Sequence, residues 1–214
     1  MRPPTLAGTI ERRLLVNYRA DPDVVRPHLP DGFTPDVVRG HAIIGICLIE
    51  LRIRPAGLPR RVGFRSFNGA HRYAVIAPDG QPAVYIPRRD TNSTLVALAG
   101  GRIFPGSHHR ARVVASEDHR RLTVALHSRD DEVRVVVAAR LADRLPPNSV
   151  FSDAATASAF FERANVGYSA TPRVDCLDAV ALETTNWSVT PLTIDRAEST
   201  YFDDAARFPR GSIA

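Results

Sequence analysis

Short apolar runs broken by Pro, Gly and acidic residues fill most of the chain, and their alternation predicts strands rather than helices. Arg13 to Arg19 (RLLVNYR) reads as a strand. His41 to Arg54 (HAIIGICLIELRIR) opens apolar throughout, as expected of a strand buried on both faces. It closes in alternation, Leu51 and Ile53 against Arg52 and Arg54. Pro55 to Pro59 is a turn, and Phe64 to Ile76 alternates again. Pro78-Asp79-Gly80 marks a tight turn before a strand at Ala83 to Ile86. Arg110 to Ala115, Arg121 to Leu126 and Val133 to Leu141, separated by short polar connections, predict a meander. Asp175 to Val189 and Leu192 to Phe202 complete the β-rich stretches, and the tail is loop-like.

Helical signals are few. Asp21 as N-cap and Pro22 at the first helical position start a short helix, limited by Pro27 and Pro30. Thr91 to Arg102 lacks β alternation; Leu95, Leu98 and Ala99 share a helical face, and Gly100-Gly101 ends it. A further helix spans about Asp153 to Ala164, capped by Ser152 or Asp153. About eight strands against three short helices predict a mainly β (α+β) fold: a closed barrel or cone with peripheral helices.

The 214 residues, 44% of them hydrophobic, suit one domain over 1–214. The longest apolar runs, about ten residues, are too short to span a bilayer. MRPPTLAGTIERR has no apolar signal region, so a cytoplasmic location is expected. Cys47 lies in a core run, and with Cys176 as the only other cysteine no disulfide framework is implied. The 28 basic residues are all arginine, so the chain has no lysine; its net charge is +5. The arginines are dispersed, with doublets at Arg12-Arg13, Arg60-Arg61, Arg88-Arg89 and Arg120-Arg121. Without an aromatic-basic cluster or a known motif, no nucleic-acid partner is expected. The expected partner is a small anionic molecule; a homo-oligomer is compatible with the sequence.

Three constellations carry candidate chemistry. In Arg88-Arg89-Asp90, neighbouring strand residues face opposite ways, so one arginine can enter a cavity and grip a carboxylate or enolate. Which one stays open, and Asp90 reads equally as the N-cap of the next helix. His108-His109 offers an acid-base group, with a loop hydrogen bond as the plainer role. Glu50 ends an apolar strand and must be paired or face a cavity. Alternation on the next strand puts Arg65, His71 and Tyr73 on one side and Asn68 on the other, so a Glu-His or Glu-Arg pair could line a cavity or form an ordinary buried ion pair. No metal, serine-nucleophile or phosphate-loop motif occurs.

Residues 24–59, 64–75 (FRSFNGAHRYAV), 90–113 and 191–213 together resemble the uncharacterised bacterial family called domain of unknown function 2071. That family is similar in fold to acetoacetate decarboxylase, which implies a β-barrel or cone with a central small-molecule cavity and no cofactor. In the decarboxylases, a lysine after a strand-end proline forms a Schiff base with a β-keto acid. The similar element here is Tyr85-Ile86-Pro87-Arg88-Arg89-Asp90, with arginine at both lysine positions. Arginine stays protonated and forms no imine. Ser66 stands where relatives often carry a glutamate. The resemblance therefore implies lyase- or isomerase-like, enolate-stabilising chemistry without a covalent adduct, or a non-catalytic ligand-binding barrel. Catalytic candidates are Arg88, Arg89, Glu50, His71 and His109; substrate-binding candidates are Arg65, Asn68, Tyr85, Asn92 and His108.

Overall fold

The structure is a computed structural model that describes residues 6–214 except 56, 58, 60–61, 102–103, 174–175 and 183–186. The Arg60-Arg61 doublet, Arg102, and parts of the Pro55–Pro59 turn and of the Asp175–Val189 stretch lie outside the described residues.

Among the described residues twelve strands form one curled sheet, a half-barrel with a few short helices. They are β1 (Leu6–Ala20), β2 (Thr34–Pro35), β3 (Val37–Val38), β4 (His41–Pro55), β5 (Phe64–Ile76) and β6 (Pro82–Thr91). The chain continues through β7 (His108–Asp118), β8 (Arg121–Ser128), β9 (Arg134–Leu141), β10 (Val166–Ala170), β11 (Leu177–Ala181) and β12 (Leu192–Ser199). The ladder order is β1-β4-β5-β6-β7-β8-β9-β12. The helices are α1 (Pro22–Val25), α2 (Thr94–Ala99) and α3 (Ala154–Arg163). Among the described residues no helix is long and apolar enough to cross a membrane.

The expected meander is β7, β8 and β9. The expected first and last caps also form: Asp21 accepts from the Asp23 N–H, and Asp153 from the Thr156 N–H. One local reading is corrected. Ser93, not Asp90, caps α2, because Asp90 is still a strand residue and its carboxylate faces Arg88. The face of α2 shared by Leu95 and Leu98 points outward (63% and 73% exposed), and Val96 is the buried residue. The strand β10 has no alternation signal; it exists because it pairs in parallel with β6 and antiparallel with β11.

The concave face holds the main core. Leu14, Val16, Ile44, Ile46, Leu48, Tyr73, Leu126, Val135 and Val137 meet there, closed by Tyr201, Phe202 and Phe208 from the C-terminal segment. That segment is tied to β1 by Arg19 N–H to Ala214 O and Ala214 N–H to Arg19 O, both 2.9 Å. A Cβ on Gly69 of β5 would lie 2.7 Å from Leu126 Cδ1 of β8, so the concave side is filled at that level. On the convex face, α3 covers β4 and β5 through Phe160, with Ile43 and Ala74.

The strand β6 decides where the charged residues go. Its outer edge is shared: β10 takes Ala83–Ile86 and β7 takes Arg89–Thr91. Pro87, which has no N–H to donate, sits in the gap between the two partners. Opposite it the register slips: His71 pairs with Arg88 but Tyr73 pairs with Tyr85, so β6 carries an extra residue there. Before this bulge Tyr85 faces the concave core; after it Arg88 does, and Arg89 faces outward.

Candidate functional site

The two adjacent arginines define two separate centres. Arg88, only 8% exposed, enters the concave side among three carboxylates. Its Nε and Nη2 donate to Asp90 at 3.2 and 3.1 Å, and Nη2 also reaches Asp130 at 2.7 Å. Nη1 pairs with Glu132. The Asp130 carboxylate accepts further from Ser128 Oγ and from the Glu132 N–H, and lies 2.8 Å from His109 Nδ1. Every nitrogen of the guanidinium is thus engaged, and Asp90 is 0% exposed.

The electrostatics follow. Burial opposes the charge of Arg88, but Asp90 and Asp130 outweigh it and raise its pKa. Burial raises the Asp90 carboxyl against the pull of Arg88. Burial would raise Asp130 too, but hydrogen bonds from Ser128, Arg88 and the Glu132 backbone hold it well below the usual range. Because Asp90, Asp130 and Glu132 all turn to Arg88, they leave no open metal pocket; among the described residues no three His, Cys, Asp or Glu side chains are grouped to hold a metal ion.

Beside this cluster lies a ring-lined patch. His71 is buried, with its ring 4.4 Å from that of Tyr201. Its Nε2 lies 3.4 Å from Ser199 Oγ, and its Nδ1 has no hydrogen-bond partner. Burial, with the charges of Arg88 and Arg207, lowers its pKa to about 3. The hydroxyls of Tyr73 and Tyr201 are 3.0 Å apart, and burial raises both. Tyr85 stacks on Tyr73 at 6.1 Å.

Arg89 turns to the convex face. Its Nε and Nη2 donate to one acceptor, Ser169 Oγ of β10, at 3.0 and 2.8 Å. Burial lowers its pKa to about 10, and burial lowers neighbouring His108 to about 4, aided by the charge of Arg89. His108 Nδ1 lies 3.2 Å from Gly106 O.

The remaining candidates lie apart from both centres. Arg65 Nε is 3.1 Å from Glu50 Oε1 in an ion pair, and Arg65 also reaches Glu11. Asn68 bonds with Ser66, and Asn92 Oδ1 accepts the Phe67 N–H, both fixing backbone near the strand ends. The structure therefore groups Arg88, His71 and His109, with Tyr85 joined through Tyr73. It sets Arg89 with His108, and Glu50 with Arg65. Asp130 and Glu132, which complete the Arg88 cluster, went unread because they lie in what looks like an ordinary acidic turn. The available signal was the run Asp130-Asp131-Glu132 next to a strand.

Neither of two depressions among the described residues is lined by Arg88. A narrow cleft of about 40 Å³ at the open end of the half-barrel is lined by Leu14, Leu48, Phe67, Val113 and Val124, with Glu50 at its edge. It has room for a few waters. A wide groove of about 470 Å³ on the surface is lined by Asn92, Arg110, Arg112, His127 and Arg129.

The sequence profile of domain of unknown function 2071, described as an uncharacterized conserved protein, matches residues 8–211. The chain belongs to that family. No curated protein matches the sequence. Among solved structures, acetoacetate decarboxylase from Legionella pneumophila is 13% identical with a TM-score of 0.57, over 90% of this chain and 73% of that one. The enduracididine biosynthesis enzyme MppR complexed with pyruvate is 14% identical with a TM-score of 0.57, over 100% and 85%. An acetoacetate decarboxylase-like enzyme from Sphingomonas wittichii RW1 is 10% identical with a TM-score of 0.53, over 92% and 81%. These likenesses place this family member in the acetoacetate decarboxylase-like fold.

Proposed function

We propose that this chain is a small-ligand-binding half-barrel in which the place of the fold's reaction centre is a structural ion cluster. The observation that carries the reading is the saturation of Arg88 by Asp90, Asp130 and Glu132. With four of its five N–H donors on carboxylates, this guanidinium has little left for a substrate anion. The chain also has no lysine, so imine chemistry is closed to it.

The ligand, in this reading, enters the apolar cleft at the open end and sets a polar head against Glu50. The Arg12–Glu117 ion pair joins β1 to β7 there, and both side chains are partly exposed. Such a pair contributes about 0–1 kcal/mol, so it adds little to the cost of widening the cleft for a ligand.

A second reading is enolate-stabilising lyase or isomerase chemistry on a keto acid. One feature favours it: the buried, unpartnered Nδ1 of His71 beside the Tyr73–Tyr201 hydroxyl pair. Incubation of the protein with acetoacetate or pyruvate in D2O separates the two. The binding reading predicts no protein-dependent loss of carbon dioxide and no deuterium exchange at the carbon next to the keto group. Exchange or decarboxylation that vanishes in His71→Gln would replace it with the enzyme reading.

A further inference from the structure

On the convex face, around Cys47, the chain holds three guanidiniums for which no described residue supplies a carboxylate. Arg13 Nε donates to Cys47 Sγ at 3.3 Å, and its guanidinium lies 5.0 Å over the Trp187 ring. Arg72, 4% exposed, reaches Asn17 Oδ1 and lies 4.9 Å over the Phe161 ring. Arg89 has only the Ser169 hydroxyl.

The sheet register explains the convergence. Leu15, Cys47, Ala70 and Arg89 form one row across β1, β4, β5 and β6. Arg13 stands two residues to one side of this row and Arg72 two residues to the other. Asn17, Gly45 and Arg72 share the next row on the same face. Gly45 has no side chain, which lets Arg72 cross β4 to Asn17; a Cβ there would lie 2.2 Å from Val16 O. The small side chains of Cys47 and Ala70 lie between the arginines, in an apolar cluster with Val84 and Ile86.

Buried cations are retained when something pairs with them, and a partner removed leaves a large desolvation cost. Here the Nε–H of Arg72 is buried with no acceptor. Burial lowers the pKa values of Arg72 and Arg89 to about 10, as expected of unpaired cations. By contrast, the nearby Arg163 has Asp36 at 2.6 Å.

We propose that Arg13, Arg72 and Arg89 form a binding site for one small oxyanion, a carboxylate or phosphate group, seated over Cys47 beneath Trp187 and Phe161. Guanidinium forks match the paired oxygens of both groups. The proposal is independent of the reading of Arg88 and of the apolar cleft.

The test is thermal unfolding of the full chain at constant ionic strength, with chloride replaced stepwise by acetate in one arm and inorganic phosphate in the other. The expected result is a midpoint that rises and saturates in at least one arm, as a ligand bound only to the native state requires. Arg72→Met and Arg89→Met should each weaken that anion by about tenfold or more, while Arg129→Met, on the remote surface groove, leaves it unchanged. A second readout does not depend on these variants folding. In a Cys176→Ser background, the saturating anion should slow alkylation of Cys47 by iodoacetamide. No saturable rise in either arm, or an equal rise in the arginine variants, overturns the proposal. So does a Glu183→Gln variant, altered outside the described residues, that creates the anion response where the parent has none, because the chain would then carry its own counter-charge.

Discussion

Arg88 and Arg89 are the same residue type, adjacent on one strand, yet they live in opposite electrostatic worlds. Arg88 faces the concave side and meets three carboxylates; Arg89 faces the convex side and meets one hydroxyl. Burial works against the charge in both cases. On the concave side the carboxylates outweigh it and the pKa rises; on the convex side nothing described outweighs it and the pKa falls. The lesson is that a doublet of cations says little until its faces are assigned. One member is held by carboxylates, and the other has only a hydroxyl partner among the described residues.

The sharpest way to break this comparison is to remove the concave charge. Arg88→Met strips the counter-charge from the fully buried Asp90 and should cost about 3–5 kcal/mol, read by urea unfolding. Smaller is the effect of Gly69→Ala, which tests whether the concave side is filled. Its Cβ meets Leu126, and overpacking of this kind costs about 1–3 kcal/mol.

Acid sharpens the contrast further. His71 has a folded pKa of about 3, below its unfolded value of about 6.5. In that window the unfolded chain takes up a proton that the native state refuses, so stability falls as pH falls. The slope from this residue is about 1.4 kcal/mol per pH unit, and urea midpoints between pH 6 and 4 should fall less steeply in His71→Gln. His108, folded at about 4, acts in the same direction, so a residual slope stays in that variant. The smallest effect belongs to Arg89→Met in chloride. Removing an uncompensated buried cation should change stability by less than about 1 kcal/mol, toward greater stability.

Much of the strand plan was legible in the sequence, because the period-two pattern and the turn residues act locally. The strand β5 runs over the expected Phe64–Ile76, and β4 ends one residue beyond Arg54. What local pattern missed depends on distant partners. The strand β10, with Gly167 and Ser169 among five residues, is held by β6 and β11 rather than by its own alternation.

The candidate centre was half legible. Alternation required Arg88 and Arg89 to diverge, and it put Arg65, His71 and Tyr73 together. The bulge at Pro87 then decided which arginine turned inward, and a bulge is a property of the pairing with β5. Asp130 and Glu132 reach Arg88 from a turn 42 and 44 residues away, a distance that no spacing rule spans. Of the two pairs expected at Glu50, with a histidine or with an arginine, the structure holds the one with Arg65.

The most direct measurement is a double-mutant cycle of Arg88→Met with Asp90→Asn, followed by equilibrium urea unfolding. If Arg88 is a saturated structural cation, the two losses should fail to add, with a coupling of at least about 2 kcal/mol. Additivity within about 0.5 kcal/mol would mean that the pair is not bound together, and would return Arg88 to the groups open to a ligand.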